Sequence, residues 1–125
     1  MTLARLWLPV VAYMAAIFYA SSQSSLPSAT AGISDTVLHT VAYGGLALCT
    51  LRAVAGGRLV GVTGSALVAA WMVATGYGAT DEWHQMFTPG RTAELRDLAN
   101  DAIGAFAALG LVGAWGIMRR ESRAR

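Results

Sequence analysis

The feature of this sequence that most constrains its fold is a set of four long stretches without a formal charge. Their lengths are 29, 16, 22 and 17 residues, and they cover residues 6–34, 36–51, 59–80 and 102–118. A helix needs about 20 apolar residues to cross a hydrocarbon core of about 30 Å. The first and third stretches are long enough. The second is long enough if the Arg52 side chain extends to the membrane interface. The fourth is long enough if its helix begins near Ala93.

The pattern predicts an all-α integral membrane protein. We expect a bundle of four transmembrane helices, near residues 4–20, 35–55, 59–80 and 93–118, in a single domain over residues 1–125. Only 13% of the residues are charged, against about 25% in an ordinary soluble domain. A soluble helical bundle is the alternative, but a long soluble helix should carry a charged face. The uncharged stretches leave no room for one.

The first stretch admits a second interpretation, a cleaved secretory signal peptide. Arg5 would begin it, and Ala29-Thr30-Ala31 resembles a cleavage site that would leave a mature chain starting at Gly32. Against cleavage, the polar segment that precedes this site is long for the end of a signal peptide. Aromatic residues also lie near the ends of the apolar run, as is typical of a retained span. They are Trp7, Tyr13 and Tyr19.

The distribution of arginine predicts the orientation in the membrane. With four spans, seven of the nine basic residues lie on one side, and the other side has only Arg91 and Arg96. The positive-inside rule then places both termini in the cytoplasm of a bacterial inner membrane. The sequence pI of 9.1 follows from this asymmetry, so we expect no nucleic-acid partner. The basic C-terminus should contact anionic membrane lipids.

Polar residues gather at the outer ends of the predicted helices. Asp35, His39 and Tyr43 follow one another at four-residue spacing, which places them on one face of the second helix. An ionisable side chain that faces lipid is costly, so we expect the outer polar residues to converge on one pocket between helices 2, 3 and 4. A purely structural network with capped helix ends is the alternative. The candidate ligand-binding residues are Asp35, His39, Tyr43, Glu82, Gln85, Arg91, Asp97 and Asp101.

Two further expectations concern how these residues pair and how the helices pack. Arg91 follows a Pro-Gly turn, and we expect it to pair with Glu82 or Asp97. Small residues at four-residue spacing allow close approach of membrane helices. The sequence offers Gly57-x-x-x-Gly61 and Gly110-x-x-x-Ala114, which would serve packing within the protomer or in a homodimer.

The order of these motifs resembles that of the VanZ-like family of small bacterial membrane proteins. That family has Ser-Ser after the first helix and Asp-x-x-x-His-x-x-x-Tyr at the start of the second. The third helix of the family ends in the run Asp-Glu-x-x-Gln-x-Phe-x-Pro-Gly-Arg. The fourth begins with Asp, which is followed a turn later by Asn or Asp and then by Gly. This sequence departs from the pattern at Thr36, where the family has Lys, and His84 is an additional ionisable residue. The matching positions are Ser21-Ser22, Asp35, His39, Tyr43, the run 81–91, Asp97, Asn100 or Asp101, and Gly104.

The resemblance implies a link, through the family's name member, to resistance against teicoplanin, a glycopeptide that acts at the cell envelope. It implies no mechanism, and two classes of function stay open. In the first, the acidic outward-facing site binds a lipid, a cell-wall precursor headgroup or teicoplanin itself and modulates glycopeptide susceptibility. Arg91 would then contact a phosphate, and the carboxylates an amine or hydroxyl groups.

The alternative is an integral membrane enzyme that modifies a lipid-linked headgroup. His39 would be the general base, Asp35 its orienting partner and Glu82 the general acid. A metal-dependent variant would use His39 or His84 with Asp97 and Glu82, but no compact ligand motif is present, so we predict neither metal nor cofactor. The single cysteine, Cys49, lies in apolar sequence and does not suit covalent catalysis. A transporter would need ionisable groups near the membrane midplane, which the spans lack.

Overall fold

The computed structural model describes residues 2–24 and 32–123, and these form four α-helices without a strand. The helices are α1 (Leu3–Ser21), α2 (Asp35–Val54), α3 (Gly64–Gln85) and α4 (Leu95–Arg123). The all-α prediction is confirmed. The cleavage site considered at Ala29-Thr30-Ala31 lies outside the described residues.

Three of the helices are long and apolar enough to cross a membrane. They are Leu3–Ser21, Asp35–Val54 and, within α4, Leu95–Arg119. The third helix differs from the prediction, because it begins at Gly64 and continues through Gln85. Gly56, Gly57 and Gly61 adopt positive φ in the preceding loop, and Thr63 then caps α3 by accepting a hydrogen bond from Ala66 N at 3.2 Å. The shift exchanges apolar loop residues for Asp81 and Glu82. α3 is not among the helices that are long and apolar enough to span a membrane.

α2 and α4 pack together over the most extensive helix interface of the described chain. A Cβ on Gly104 would collide with the backbone of Thr40, and one on Gly44 would lie 3.5 Å from the Cβ of Ala108. Glycine is therefore required at position 104, and the approach at Gly44 is close. Later residues of α2 contact later residues of α4, so the two helices run parallel.

α3 lies antiparallel to α4. The side chain of Leu67 approaches Gly113, whereas Gly78 lies against Asp101 at the opposite end. α3 presents a stripe of small buried residues, which allows the close contact. The stripe consists of Ala66, Ala70, Ala74 and Gly78.

α1 packs against α2 and α3 and runs in the direction of α3. The hydroxyl of Tyr77 donates to the Met14 carbonyl at 2.7 Å, and further along both helices Ser21 donates to Asp81. The four helices thus alternate in direction. The last turns of α1 and α3 meet the first turns of α2 and α4 at one end of the bundle, which we call the polar end.

Within the protomer, the two predicted packing motifs do not make the close helix contacts. Gly57 and Gly61 lie in the loop between α2 and α3, where both adopt positive φ. No described atom outside its own helix lies within 4 Å of a Cβ built on Gly110. The close approaches within the protomer use Gly44, Gly45, Gly78 and Gly104.

Candidate functional site

His39 lies at the centre of the polar end, between α2 and α4. Ser34 caps α2 by accepting from Val37 N at 3.3 Å, and this fixes His39 in the second turn. Its Nδ1 lies 2.8 Å from Asp101 Oδ1, and its Nε2 lies 3.8 Å from Asp97 Oδ2. The ring is therefore held between two carboxylates on successive turns of α4, and Asp101 is fully buried.

Glu82 approaches the same ring from the last turn of α3, beyond the apolar part of that helix. Its Oε2 accepts a hydrogen bond of 2.8 Å from the backbone N–H of Glu94, whereas its buried Oε1 accepts none from the described residues. Burial raises the pKa of the Glu82 carboxyl above its ordinary value, and the charges of Asp97 and Asp101 act in the same direction. The Glu94 N–H and His39 offset only part of this rise.

Asp35 completes this group at its exposed edge, in the first turn of α2. One donor atom from each of Asp35, His39 and Asp97 lies within 4.8 Å of the others, and the same holds for His39, Glu82 and Asp101. We call these five residues the His39 cluster. Its two overlapping sets of three have the composition and spacing of metal ligands.

A second group surrounds Asp81, between α1 and α3. Ser21 Oγ donates to Asp81 Oδ1 at 2.6 Å, and Gln85 Nε2 donates to Asp81 Oδ2 at 3.2 Å. All three residues are buried, and we call them the Asp81 cluster. Both of the Asp81 oxygens therefore have a neutral donor.

A small cavity of about 100 Å³ lies between the two clusters. Apolar residues of α1 and α2 form much of its wall, among them Ile17 and Leu38, and Arg91 also lines it. Both clusters contribute polar wall residues, which include His39, Ser21, Asp81 and Gln85. Tyr43 also lines the cavity, and its hydroxyl is buried without a hydrogen-bond partner among the described residues.

The expected pairing of Arg91 is wrong. Its Nε donates to the backbone carbonyl of Gln23 at 3.1 Å. Within residues 2–24 and 32–123, the ion pairs do not include one from Arg91 to Glu82 or Asp97. The physical reason is that the segment after α1 lies beside the 88–91 turn and offers a carbonyl at the point that the guanidinium reaches.

The cavity also lies differently from the predicted pocket. The prediction placed one pocket between helices 2, 3 and 4, but α1 contributes to its wall through Ile17, Ala20 and Ser21. The predicted residues divide between two groups, because Gln85 turns toward Asp81 while Glu82 turns toward His39. Asp81 and Ser21 were not among the candidate residues, although the four-residue spacing of Asp81 and Gln85 was available as a signal.

His84, for which the sequence predicts no role, belongs to neither cluster. Its Nε2 lies 2.9 Å from the Ser22 hydroxyl, and its ring stacks on Phe18 with the centroids 4.2 Å apart. These contacts tie the end of α3 to the end of α1. Of the two candidates for one family position, Asp101 reaches His39, while Asn100 contacts Thr36 at 3.4 Å.

The electrostatics of the His39 cluster are unbalanced. Glu82, Asp97 and Asp101 are each more than nine-tenths buried, and each leaves one oxygen without a hydrogen-bond partner in the described chain. The nearest described arginine is Arg96, which is 67% exposed and 3.8 Å from Asp97 Oδ1. An exposed ion pair of this kind contributes little. Buried carboxylates in such a place require protons or another cation.

These features define a small helical protein with membrane-spanning segments and an acidic polar end. A family model described as VanZ/LLP1 matches residues 6–116, a range that includes every residue of both clusters. The chain belongs to the VanZ/LLP1 family. Comparison with curated proteins and with solved structures gave no match.

Proposed function

We propose that this VanZ/LLP1 family member is a cell-envelope protein that binds the headgroup of a lipid or lipid-linked cell-wall precursor. The observation that carries the proposal is the cavity between the clusters. His39 and Arg91 line it together, and Ile17 and Leu38 form apolar wall beside them. A headgroup with a phosphate and an amine or hydroxyl groups, attached to an apolar chain, matches this combination.

Four membrane crossings, with the polar end outside, are part of the proposal. α2 and α4 are apolar enough to span and run parallel, so the chain has to return between them, and the helix available for that return is α3. The arginine asymmetry supports cytoplasmic termini in the bacterial inner membrane. Reporters fused after Arg125 and inserted at Gly57 should report cytoplasm, and one at Ser28 the outside. A C-terminus reported outside would contradict this topology.

The size of the cavity limits what it can enclose. Sites for drug-sized ligands occupy about 300–1,000 Å³, and this cavity of about 100 Å³ is several-fold smaller. A small headgroup can enter, whereas a glycopeptide cannot be enclosed. We therefore propose that any change in teicoplanin susceptibility arises indirectly, through binding of a lipid or precursor that the glycopeptide also depends on.

The test is the lipid retained by the full chain purified in mild detergent, identified by mass spectrometry. Leu38→Trp should fill the cavity and Arg91→Gln should remove its cation, so both variants should lose the lipid that the wild-type chain retains. His84→Ala is the matched control, because His84 does not line this cavity. An identical lipid profile in all four proteins at normal abundance would refute headgroup binding here.

A second candidate function, an enzyme acting on the same headgroup, is favoured by the bond of 2.8 Å between His39 and Asp101. A general base needs an orienting partner, and Asp101 takes the place that we had expected Asp35 to fill. Glu82 would supply the acid. Turnover of a lipid-linked precursor by the wild-type chain, abolished in His39→Ala at normal abundance, would favour the enzyme over the binding protein.

A further inference from the structure

The His39 cluster combines one imidazole with carboxylates from three helices. Asp35 and His39 are four residues apart on α2, and Asp97 faces them from the first turn of α4. Their donor atoms lie within 4.8 Å of one another. One nitrogen and two carboxylate oxygens, brought together from two helices, form a donor set that a divalent metal ion accepts.

The hydrogen bond to Asp101 determines which nitrogen of His39 is available. With Nδ1–H donating to Asp101 Oδ1 at 2.8 Å, the lone pair remains on Nε2. A carboxylate that holds the other ring nitrogen in this way is the usual support of a metal-binding histidine. The open nitrogen is the one that faces Asp97.

The distance between the two facing donors agrees with a bridging ion. Nε2 of His39 and Oδ2 of Asp97 are 3.8 Å apart, too far for a hydrogen bond. Metal bonds of about 2.1 Å on each side span at most about 4.2 Å, so one ion can reach both atoms. Asp35 lies at the exposed edge, where its side chain has room to close the third bond.

A second observation is the weak pairing of the buried Asp97 carboxylate. Its side chain is 6% exposed, yet its buried Oδ1 accepts no hydrogen bond from the described residues and lies 3.8 Å from the exposed Arg96 side chain. A fully buried carboxylate, Asp101, lies behind the same ring. A dication would supply the charge that these buried groups lack.

We propose that His39 Nε2, Asp97 and Asp35 bind a first-row divalent transition-metal ion, with Asp101 orienting the imidazole. The imidazole favours Zn²⁺, Mn²⁺ or a similar ion over Ca²⁺ and Mg²⁺, which prefer all-oxygen sites. Since His39 also lines the cavity, the ion would offer an open coordination position to a phosphate oxygen. This last step alone rests on the proposed function; metal binding does not require a headgroup.

The experiment measures metal content of the full chain, purified in detergent with an affinity tag that contains no histidine. After removal of loosely bound ions, the chain is titrated with ZnCl₂ and, separately, MnCl₂, and metal per chain is determined by mass spectrometry. We expect about one ion per chain. Asp97→Asn should abolish this binding with little change of shape, and Asp101→Asn should weaken it about tenfold to a hundredfold.

A matched control variant keeps the proposal falsifiable. Glu94→Gln removes a nearby exposed carboxylate and should bind metal as the wild type does. Absence of saturable binding in the wild-type chain would overturn the proposal. Loss of metal binding in Glu82→Gln, together with its retention in Asp35→Asn, would also overturn the proposal. Equal metal binding in Asp97→Asn and the wild type would do the same. Lipid retention is measured on the same samples, so failure of the metal site and failure of headgroup binding are separate results.

Discussion

The Asp81 cluster and the His39 cluster lie at the same end of the bundle but satisfy their carboxylates differently. Each oxygen of Asp81 accepts a hydrogen bond from a neutral donor, Ser21 or Gln85. In the His39 cluster, by contrast, Asp97 and Asp101 each have a buried oxygen that accepts no hydrogen bond from the described chain.

This difference favours a structural role for the Asp81 cluster and a ligand-binding role for the His39 cluster. Hydrogen-bond donors stabilise the ionised form of a buried carboxylate, so the Asp81 cluster is complete within the protein. The His39 cluster collects negative charge around one imidazole, and an added cation or amine would relieve it. Buried polar groups without partners are uncommon and call for such an explanation.

The largest effect on stability should come from Asp81→Ala. The substitution leaves the Gln85 amide buried without its acceptor, whereas the Ser21 hydroxyl keeps the longer hydrogen bond to the Phe18 carbonyl at 3.2 Å. A stranded buried group costs about 1–3 kcal/mol, so we expect a loss of stability of about that size, measured by denaturant unfolding in mixed micelles. Glu94→Ala, an exposed control, should stay within about 0.5 kcal/mol of wild type. A loss no larger than that of the control would show that Asp81 is not a structural centre.

A smaller effect is expected in the pH dependence of stability. The raised pKa of Glu82 means that the folded state binds more protons than the unfolded state above the ordinary value of 4.5. Stability should therefore fall as pH rises from about 4.5 through the folded-state pKa. Glu82→Gln should flatten this fall, as measured by thermal unfolding at a series of pH values. An unchanged profile would contradict the burial of an unpaired carboxyl.

The smallest effect should come from His84→Ala, which lies at the polar end but outside both clusters. The loss of stacking on Phe18 is worth less than about 1.5 kcal/mol, and Ser22 keeps its hydrogen bond to the Phe18 carbonyl at 2.6 Å. We expect a small drop in melting temperature with unchanged lipid and metal retention. Loss of either ligand in this variant would extend the site to His84.

The helices could be predicted from the sequence because charge is excluded from the interior of a membrane. That argument located α1 and α2 within a residue or two and identified the polar ends. It could not locate the start of α3, because residues 59–63 are apolar enough to continue a helix, and the loop depends on the positive φ of Gly61 and the cap at Thr63. The glycine contacts between α2 and α4 likewise depend on which faces meet.

The site could be predicted only in part, for a similar reason. Helical spacing and the cost of exposing charge to lipid were enough to bring His39, Asp97 and Asp101 together. They could not identify the partner of Arg91, because a backbone carbonyl such as that of Gln23 has no signature in the sequence. They also could not tell a satisfied carboxylate from an unsatisfied one, since Asp81 and Asp101 differ only in their neighbours.

The central claim, that the His39 cluster requires a ligand whereas the Asp81 cluster does not, is tested most directly by unfolding Asp101→Asn beside Asp81→Ala. Both are measured as full chains in the same detergent, freed of metal and lipid. In Asp101→Asn the side-chain amide oxygen can still accept from His39, and the substitution removes a buried charge near Asp97 and Glu82. We predict that Asp101→Asn is at least as stable as wild type while Asp81→Ala is strongly destabilised. Comparable destabilisation of both variants would contradict the account and make the polar end one structural network.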